Sequence, residues 1–145
     1  MLQGLATLSL LGICLIAAWT DWQSRRIPNA LILFSLKLLG IIIIGELISS
    51  RSLENFLERL AAGMLFMFMH WILYCSGNMG AGDVKLALVI GLALGCSQLI
   101  VYLCYYGIVL ALVSLFLILR YKKLRHKSIP LAPIMSGAYI LYLLH

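Results

Sequence analysis

The sequence predicts an all-α, polytopic membrane protein: a six-helix transmembrane bundle forming a single domain over residues 1–145. Three observations predict it. The chain is 63% hydrophobic and 11% charged, with a mean hydropathy of +1.06, whereas a soluble domain runs near half apolar and a quarter charged. Its apolar residues come in runs close to the ~20 residues that cross a ~30 Å hydrocarbon core. Its charged residues fall mostly in the short breaks between those runs. The length accommodates about six crossings with short loops and no separate soluble domain.

Leu2–Thr20 carries no charge and is the first predicted span. No basic leader or small-residue cleavage site marks it as a removed signal, so it reads as a retained helix. Asp21–Asn29 (DWQSRRIPN) is a polar break, with Pro28 before Asn29 suiting a helix start and Asn29 in the N-cap position. Ala30–Ile48 is the second span, with Lys37 inside it, snorkelling its ammonium, and Glu46 near its far end. Ser49–Arg59 is polar, but Leu53, Phe56, Leu57 and Leu60 keep helical spacing. That pattern predicts a short amphipathic helix lying at the interface.

Leu60–Ser76 is the third span, and the glycine-rich Gly77–Gly82 (GNMGAG) breaks it, with Asn78 shaping the loop. Leu86–Leu119 is then uncharged for 34 residues, ~51 Å as one helix against a ~30 Å core. It must fold back, and Gly95-Cys96-Ser97-Gln98 is the predicted turn. Arg120–Lys127 is a basic loop, and Ile129–Leu144 is the sixth helix, approached through Pro130 and Pro133.

The net charge of +6 would raise the question of nucleic acid in a soluble protein. Here the cations lie in short loops, so the partner they imply is membrane lipid and not nucleic acid. The odd-numbered loops hold Arg25, Arg26, Lys85, Arg120, Lys122, Lys123, Arg125 and Lys127, and the even-numbered loops hold only Arg51 and Arg59. Cytoplasmic loops carry the excess of Lys and Arg, so both termini are expected outside. Cys14, Cys75, Cys96 and Cys104 form no C-x-x-C pair. They read as small buried hydrophobes, with no metal site and no cofactor expected.

Asp21 and Asp83 are the only aspartates, each at the edge of an apolar run, where a charge is costly and usually functional. Two complete spans separate them, so they face the same side whichever way the chain is threaded. Asp83 stands 13 residues from Gly95, counted inclusively, or ~20 Å of helix, short of the ~30 Å core, so either the helix starts earlier or Asp83 lies below the headgroups. Two carboxyl groups facing each other there share a proton, as in aspartic proteases, where one activates water and the other protonates the carbonyl oxygen. Taken singly, each has a plainer reading: Asp21 as an ion-pair partner of Arg25, Asp83 as a carboxylate at a helix N-terminus.

Gly80-Ala81-Gly82-Asp83 reads G-x-G-D. Irregular backbone at membrane depth survives only against protein or water, so these glycines fit a wet site that admits an extended chain. G-x-G-D followed by Val84-Lys85-Leu86, with the upstream Asp21 leading to Ile27-Pro28-Asn29, resembles the prepilin peptidases, the membrane aspartic proteases of type IV pilin and archaellin precursors. Ile129-Pro130-Leu131-Ala132-Pro133 is similar to that family's proline-containing approach to its last helix. The resemblance runs from about Asp21 to about Pro133. It implies catalytic Asp21 and Asp83, with Gly80, Gly82 and Lys85 supporting. It further implies substrates that are prepilin or pseudopilin precursors, cut after a short basic leader at the cytoplasmic face of a prokaryotic inner membrane. The larger bacterial members add a cysteine-paired cytoplasmic segment and methylate the new N-terminus. This chain shows no such pairs, and the expectation is a short peptidase-only form like those of tight-adherence pili and archaea. Presenilin and signal peptide peptidase share G-x-G-D, but their partner aspartate follows a tyrosine, and here it follows Thr20.

Other polar residues have plainer readings. Glu54 and Glu58 form a solvated pair on the opposite side, His70 is a packed and satisfied histidine, Arg25 and Arg26 are topology anchors, and Ser114 has no base at a motif spacing. Two further functions compete with peptidase activity. One is a carrier coupling an ion to the paired carboxylates, against which stands the lack of an internal repeat. The other is a non-catalytic scaffold of a pilus or secretion assembly.

Overall fold

The computed structural model describes residues 2–50, 52–77, 79–120 and 131–145. These form α1 (Leu2–Ser24), α2 (Asn29–Ser50), α3 (Leu53–Cys75), α4 (Ala81–Arg120) and α5 (Ala132–Leu143). The first four are long and apolar enough to cross a membrane. Among the described residues these are five elements, the fourth of which holds two helices joined across a break at Gly95. Helix α5 is also shorter than the predicted Ile129–Leu144: it begins at Ala132 and has 12 residues, ~18 Å of rise. The basic loop residues Lys122, Lys123, Arg125 and Lys127, together with Asn78, Ile129 and Pro130, lie outside the described residues.

α4 is the element that departs most from a simple rod. Inside it Gly95 has φ 75° and ψ 171°, a left-handed φ that favours glycine. Contacts with α3 show what this does to the path. On α3, Arg59 meets Ala93 and Glu58 meets Ser97 around the break. Further along, Gly63 meets Leu88 and Leu92 from the arm before Gly95, while Phe66 meets Tyr102 and His70 meets Tyr106 from the arm after it. Both arms thus run alongside the same stretch of α3, and the fold-back lies within the predicted turn.

Close helix approach fixes the register of the first arm against α3. A Cβ on Gly91 would stand 2.6 Å from the Ala62 carbonyl oxygen and 2.7 Å from Gly63 Cα. Small residues at such crossings let backbones touch, which is how helices gain packing where lipid is as apolar as they are.

The remaining helices assemble around this hairpin through buried hydroxyls. Tyr102 donates to the Met135 carbonyl, Ser136 to the carbonyls of Cys14 and Ala132, and Tyr139 to the Thr7 carbonyl. These tie α5 antiparallel to α1 and against α4. The buried core includes Leu10, Phe66, Leu86, Ile90, Leu99, Tyr102 and Met135.

Several boundaries correct the sequence reading. α1 continues past Thr20 to Ser24, so Asp21 lies within a helix rather than in a break. Ser49–Arg59 is no separate interfacial helix: α3 starts at Leu53 with Ser52 as N-cap, its hydroxyl accepting the Asn55 amide, and runs unbroken through the third span. Of the cysteines only Cys14 is buried; Cys75 and Cys104 are exposed, and Cys96 is half-buried with its thiol donating to the Glu58 carbonyl. Arg59 and Glu46 form a 3.0 Å ion pair, and Arg59 also donates to the Ala93 carbonyl. Glu58 is no free solvated acid, because Ser97 donates to it through its amide and its hydroxyl, at 3.1 and 3.0 Å.

Candidate active site

The site lies at the end of the bundle where α1 finishes and α2, α4 and α5 begin. Helix periodicity brings Asp21 into it. Along α1 the buried stripe runs Ala6, Leu10, Ile13, Cys14, Ala17 and then Asp21, which is 7% exposed. Trp19 and Trp22, to either side in sequence, face outward at 66% and 73% exposure, as aromatic residues of a headgroup belt do. One Asp21 carboxylate oxygen, Oδ2, accepts the Ala132 amide at the start of α5, at 3.4 Å. The helix ends at once: the Arg25 amide donates to the Asp21 carbonyl, and Arg25 takes φ 51°. A residue other than glycine in this left-handed conformation costs roughly 1–2 kcal/mol.

Asp83 enters from the start of α4. The Asp83 amide donates to the Gly80 carbonyl at 3.1 Å, and the Gly80 amide in turn serves the Asp83 carboxyl group. This is the reciprocal arrangement in which an acid two residues into a helix reaches back to its cap. A Cβ on Gly80 would lie 3.4 Å from Oδ2 of Asp83. The other oxygen, Oδ1, is buried without a hydrogen-bond partner among the described residues. Buried polar atoms are nearly always paired, which sets this carboxyl oxygen apart.

Asp21 and Asp83 are thus both buried at one end of the bundle and interact electrostatically with each other. Arg25 acts on Asp21. The glycines bring the walls close: a Cβ on Gly82 would stand 3.1 Å from the Ile27 side chain. Asn29 is not the side-chain cap that its position predicts. Helix α2 opens on the Pro28 carbonyl, and Asn29 Oδ1 instead accepts Lys85 Nζ at 2.8 Å. Lys85 thereby ties the start of α4 to the start of α2 across the mouth of the site. Among the described residues no three His, Cys, Asp or Glu side chains come together as metal ligands.

Residues 8–119 match the family model described as the type IV leader peptidase family. The chain belongs to the type IV leader peptidase family. It is also 31% identical over 137 residues to the prepilin leader peptidase/N-methyltransferase of Bacillus subtilis (strain 168). That alignment covers 92% of this chain and 53% of the relative, so the chain spans about half the length of the curated relative it matches. No solved structure matches it significantly.

Two partners of the carboxyl groups escaped the sequence reading. The Ala132 amide leaves no trace in side-chain chemistry. Tyr106, which interacts electrostatically with Asp83, stands in an apolar run where a tyrosine reads as core.

Proposed function

We propose that this chain is an aspartic endopeptidase, a single membrane unit over residues 1–145, that removes basic leaders from prepilin-like precursors. Asp21 and Asp83 would be its catalytic pair, with Gly80, Gly82 and Lys85 shaping the mouth. The observation that carries the reading is two buried, interacting carboxyl groups at one end of an apolar bundle, one with an oxygen left unpartnered. Family membership and the relative's printed name support the substrate class.

The chemistry needs only these two groups and water. One aspartate, as the carboxylate, takes a proton from water while the water oxygen bonds to the scissile carbonyl carbon. The other, as the acid, gives its proton to the carbonyl oxygen. The tetrahedral intermediate collapses as the C–N bond breaks, and the leaving nitrogen takes up a proton from the pair. Gly80 and Gly82 keep side chains out of the approach, so an extended backbone can reach the carboxyl groups.

Charge supports a cytoplasmic site with both termini outside. Arg25, Arg26 and Lys85 lie at the site's end of the bundle. Arg59, one of the two cations counted for the other side, lies at the far end of the bundle, paired with Glu46, and the excess of Lys and Arg stays at the site's end. The outward Trp19 and Trp22 suit a dyad near headgroup depth, where a leader joins a hydrophobic helix.

The test is cleavage of a membrane-inserted prepilin precursor by the purified protein in lipid vesicles. The wild type releases the leader, and Asp21→Asn and Asp83→Asn do not, while both variants keep the wild-type helical content. Cleavage by either variant at a rate close to the wild type would contradict the reading. Ion flux in the same vesicles, abolished by the same substitutions without any cleavage, would replace it with a carrier.

A further inference from the structure

Behind Asp83 the structure holds a chain of polar groups buried in an otherwise apolar interior, and it has a direction. His70, 2% exposed, places Nδ1 3.0 Å from the Phe66 carbonyl oxygen. A carbonyl only accepts, so Nδ1 carries the hydrogen, and in the neutral ring Nε2 is the acceptor. The group beside Nε2 is the Tyr106 hydroxyl, at 3.4 Å, and Tyr106 must therefore donate to His70. Having given its only hydrogen to the histidine, the Tyr106 oxygen has nothing but lone pairs for its other neighbours.

The helix register brings this hydroxyl to the level of Asp83. Gly63 and Gly91 touch where α3 crosses the first arm of α4. About two turns further along each antiparallel helix, His70 comes opposite Val84, next to Asp83. His70 also contacts Tyr106 from the second arm, so one level of the bundle holds Asp83, His70 and Tyr106. The aromatic rings hold the pair rigidly: Phe66 packs edge-on against His70, and Tyr102 stacks on Tyr106 at 6.1 Å.

The two aspartates meet opposite kinds of partner. Asp21 accepts an amide N–H and has the Arg25 charge nearby, which suits a carboxylate. Asp83 has one oxygen served by the Gly80 amide, while Oδ1 is buried and bare. A protonated carboxyl group matches that setting: its carbonyl oxygen accepts from Gly80, and its O–H needs an acceptor.

We propose that Tyr106, held by His70, is a positioning residue that keeps the shared proton on Asp83 by offering its hydroxyl oxygen, through a bridging water, as the acceptor for the Asp83 O–H. In the resting enzyme Asp83 is then the acid that protonates the scissile carbonyl oxygen, and Asp21 is the carboxylate that activates water. This rests on the protease reading above and adds to it an assignment of roles.

The experiment is infrared spectroscopy of the full chain in lipid vesicles at neutral pH, read beside precursor cleavage. The carboxylic-acid C=O stretch is expected in the wild type, lost in Asp83→Asn and kept in Asp21→Asn. Tyr106→Phe, which keeps the ring and removes the oxygen, is expected to shift that band or abolish it and to lower kcat about tenfold with little change in KM. His70→Phe is expected to shift the band in the same direction, through loss of the acceptor that orients Tyr106. A band lost in Asp21→Asn and kept in Asp83→Asn, or a band and kcat unmoved by Tyr106→Phe, overturns the proposal. The infrared assignment needs no turnover, so failure of the relay is distinct from failure of the protease reading, which only active aspartate variants would bring about.

Discussion

The two ends of this bundle treat buried charge in opposite ways. At the far end Arg59 is 8% exposed and fully engaged: it pairs with Glu46 and donates to the Ala93 carbonyl, while Glu58 beside it takes the Ser97 amide and hydroxyl. Those groups hold the fold-back at Gly95, where the helical hydrogen-bond ladder is interrupted and loose backbone groups need partners. At the near end Asp21 and Asp83 are buried just as deeply, yet both are acids, and among the described residues Asp83 Oδ1 has no hydrogen-bond partner. A fold that satisfies its polar groups at one end has the means to do so at the other. On the proposed reading, the near end is organised for chemistry at a cost in stability, and the far end for stability alone.

Substitutions sharpen this contrast when activity and stability are read separately. The largest effect is expected at the near end. Asp21→Asn and Asp83→Asn should each lower leader cleavage by ~10²–10⁴-fold, the range that a positioned acid or base contributes. Neither should lower the thermal unfolding midpoint in detergent, because each exchanges a buried acid for a neutral amide of nearly the same shape. At the far end the pattern should reverse. Glu46→Gln leaves the Arg59 guanidinium buried without its counter-charge and should destabilise by about 3 kcal/mol, seen as a lower unfolding midpoint with turnover per folded molecule unchanged. Gly91→Ala, in the crossing between the two ends, forces a methyl group into the 2.6 Å gap to Ala62. It should cost roughly 1–3 kcal/mol, as overpacking does, and should reduce cleavage by spoiling the register that sets Asp83. The smallest effect belongs to Asn29→Ala, which frees Lys85 at the exposed mouth: less than about 1 kcal/mol in stability, with any change appearing in KM.

The contrast also explains what could be read from the sequence. Apolar spans, the two aspartates and the break at Gly95 were legible because charge and glycine are rare and costly in such a chain. Which face of each helix turns inward was not. On α1 the inward Leu10 and Ile13 and the outward Leu15 and Ile16 are equally apolar, because lipid accepts the same residues as the core, and amphipathic periodicity disappears. The same ambiguity misplaced the end of α1. A charge at Asp21 reads as the edge of the membrane, but on an inward face it continues the helix to Ser24. Arg59, Glu46 and Glu58 looked like independent surface charges, since their partnership depends on α2, α3 and the Gly95 turn meeting in space. His70 was legible as a packed histidine, but its partner Tyr106 lies 36 positions away, beyond any local spacing rule.

The account stands on the two carboxyl-bearing positions facing each other inside the bundle, and cross-linking tests that most directly. In a background with Cys14, Cys75, Cys96 and Cys104 replaced, cysteines placed at positions 21 and 83 should join rapidly with a short bifunctional thiol reagent in native membranes. A control pair at positions 46 and 83, at opposite ends of the bundle, should stay unjoined. If the pair at 21 and 83 reacted no faster than that control, the carboxyl groups would not share a site, and the account would be contradicted.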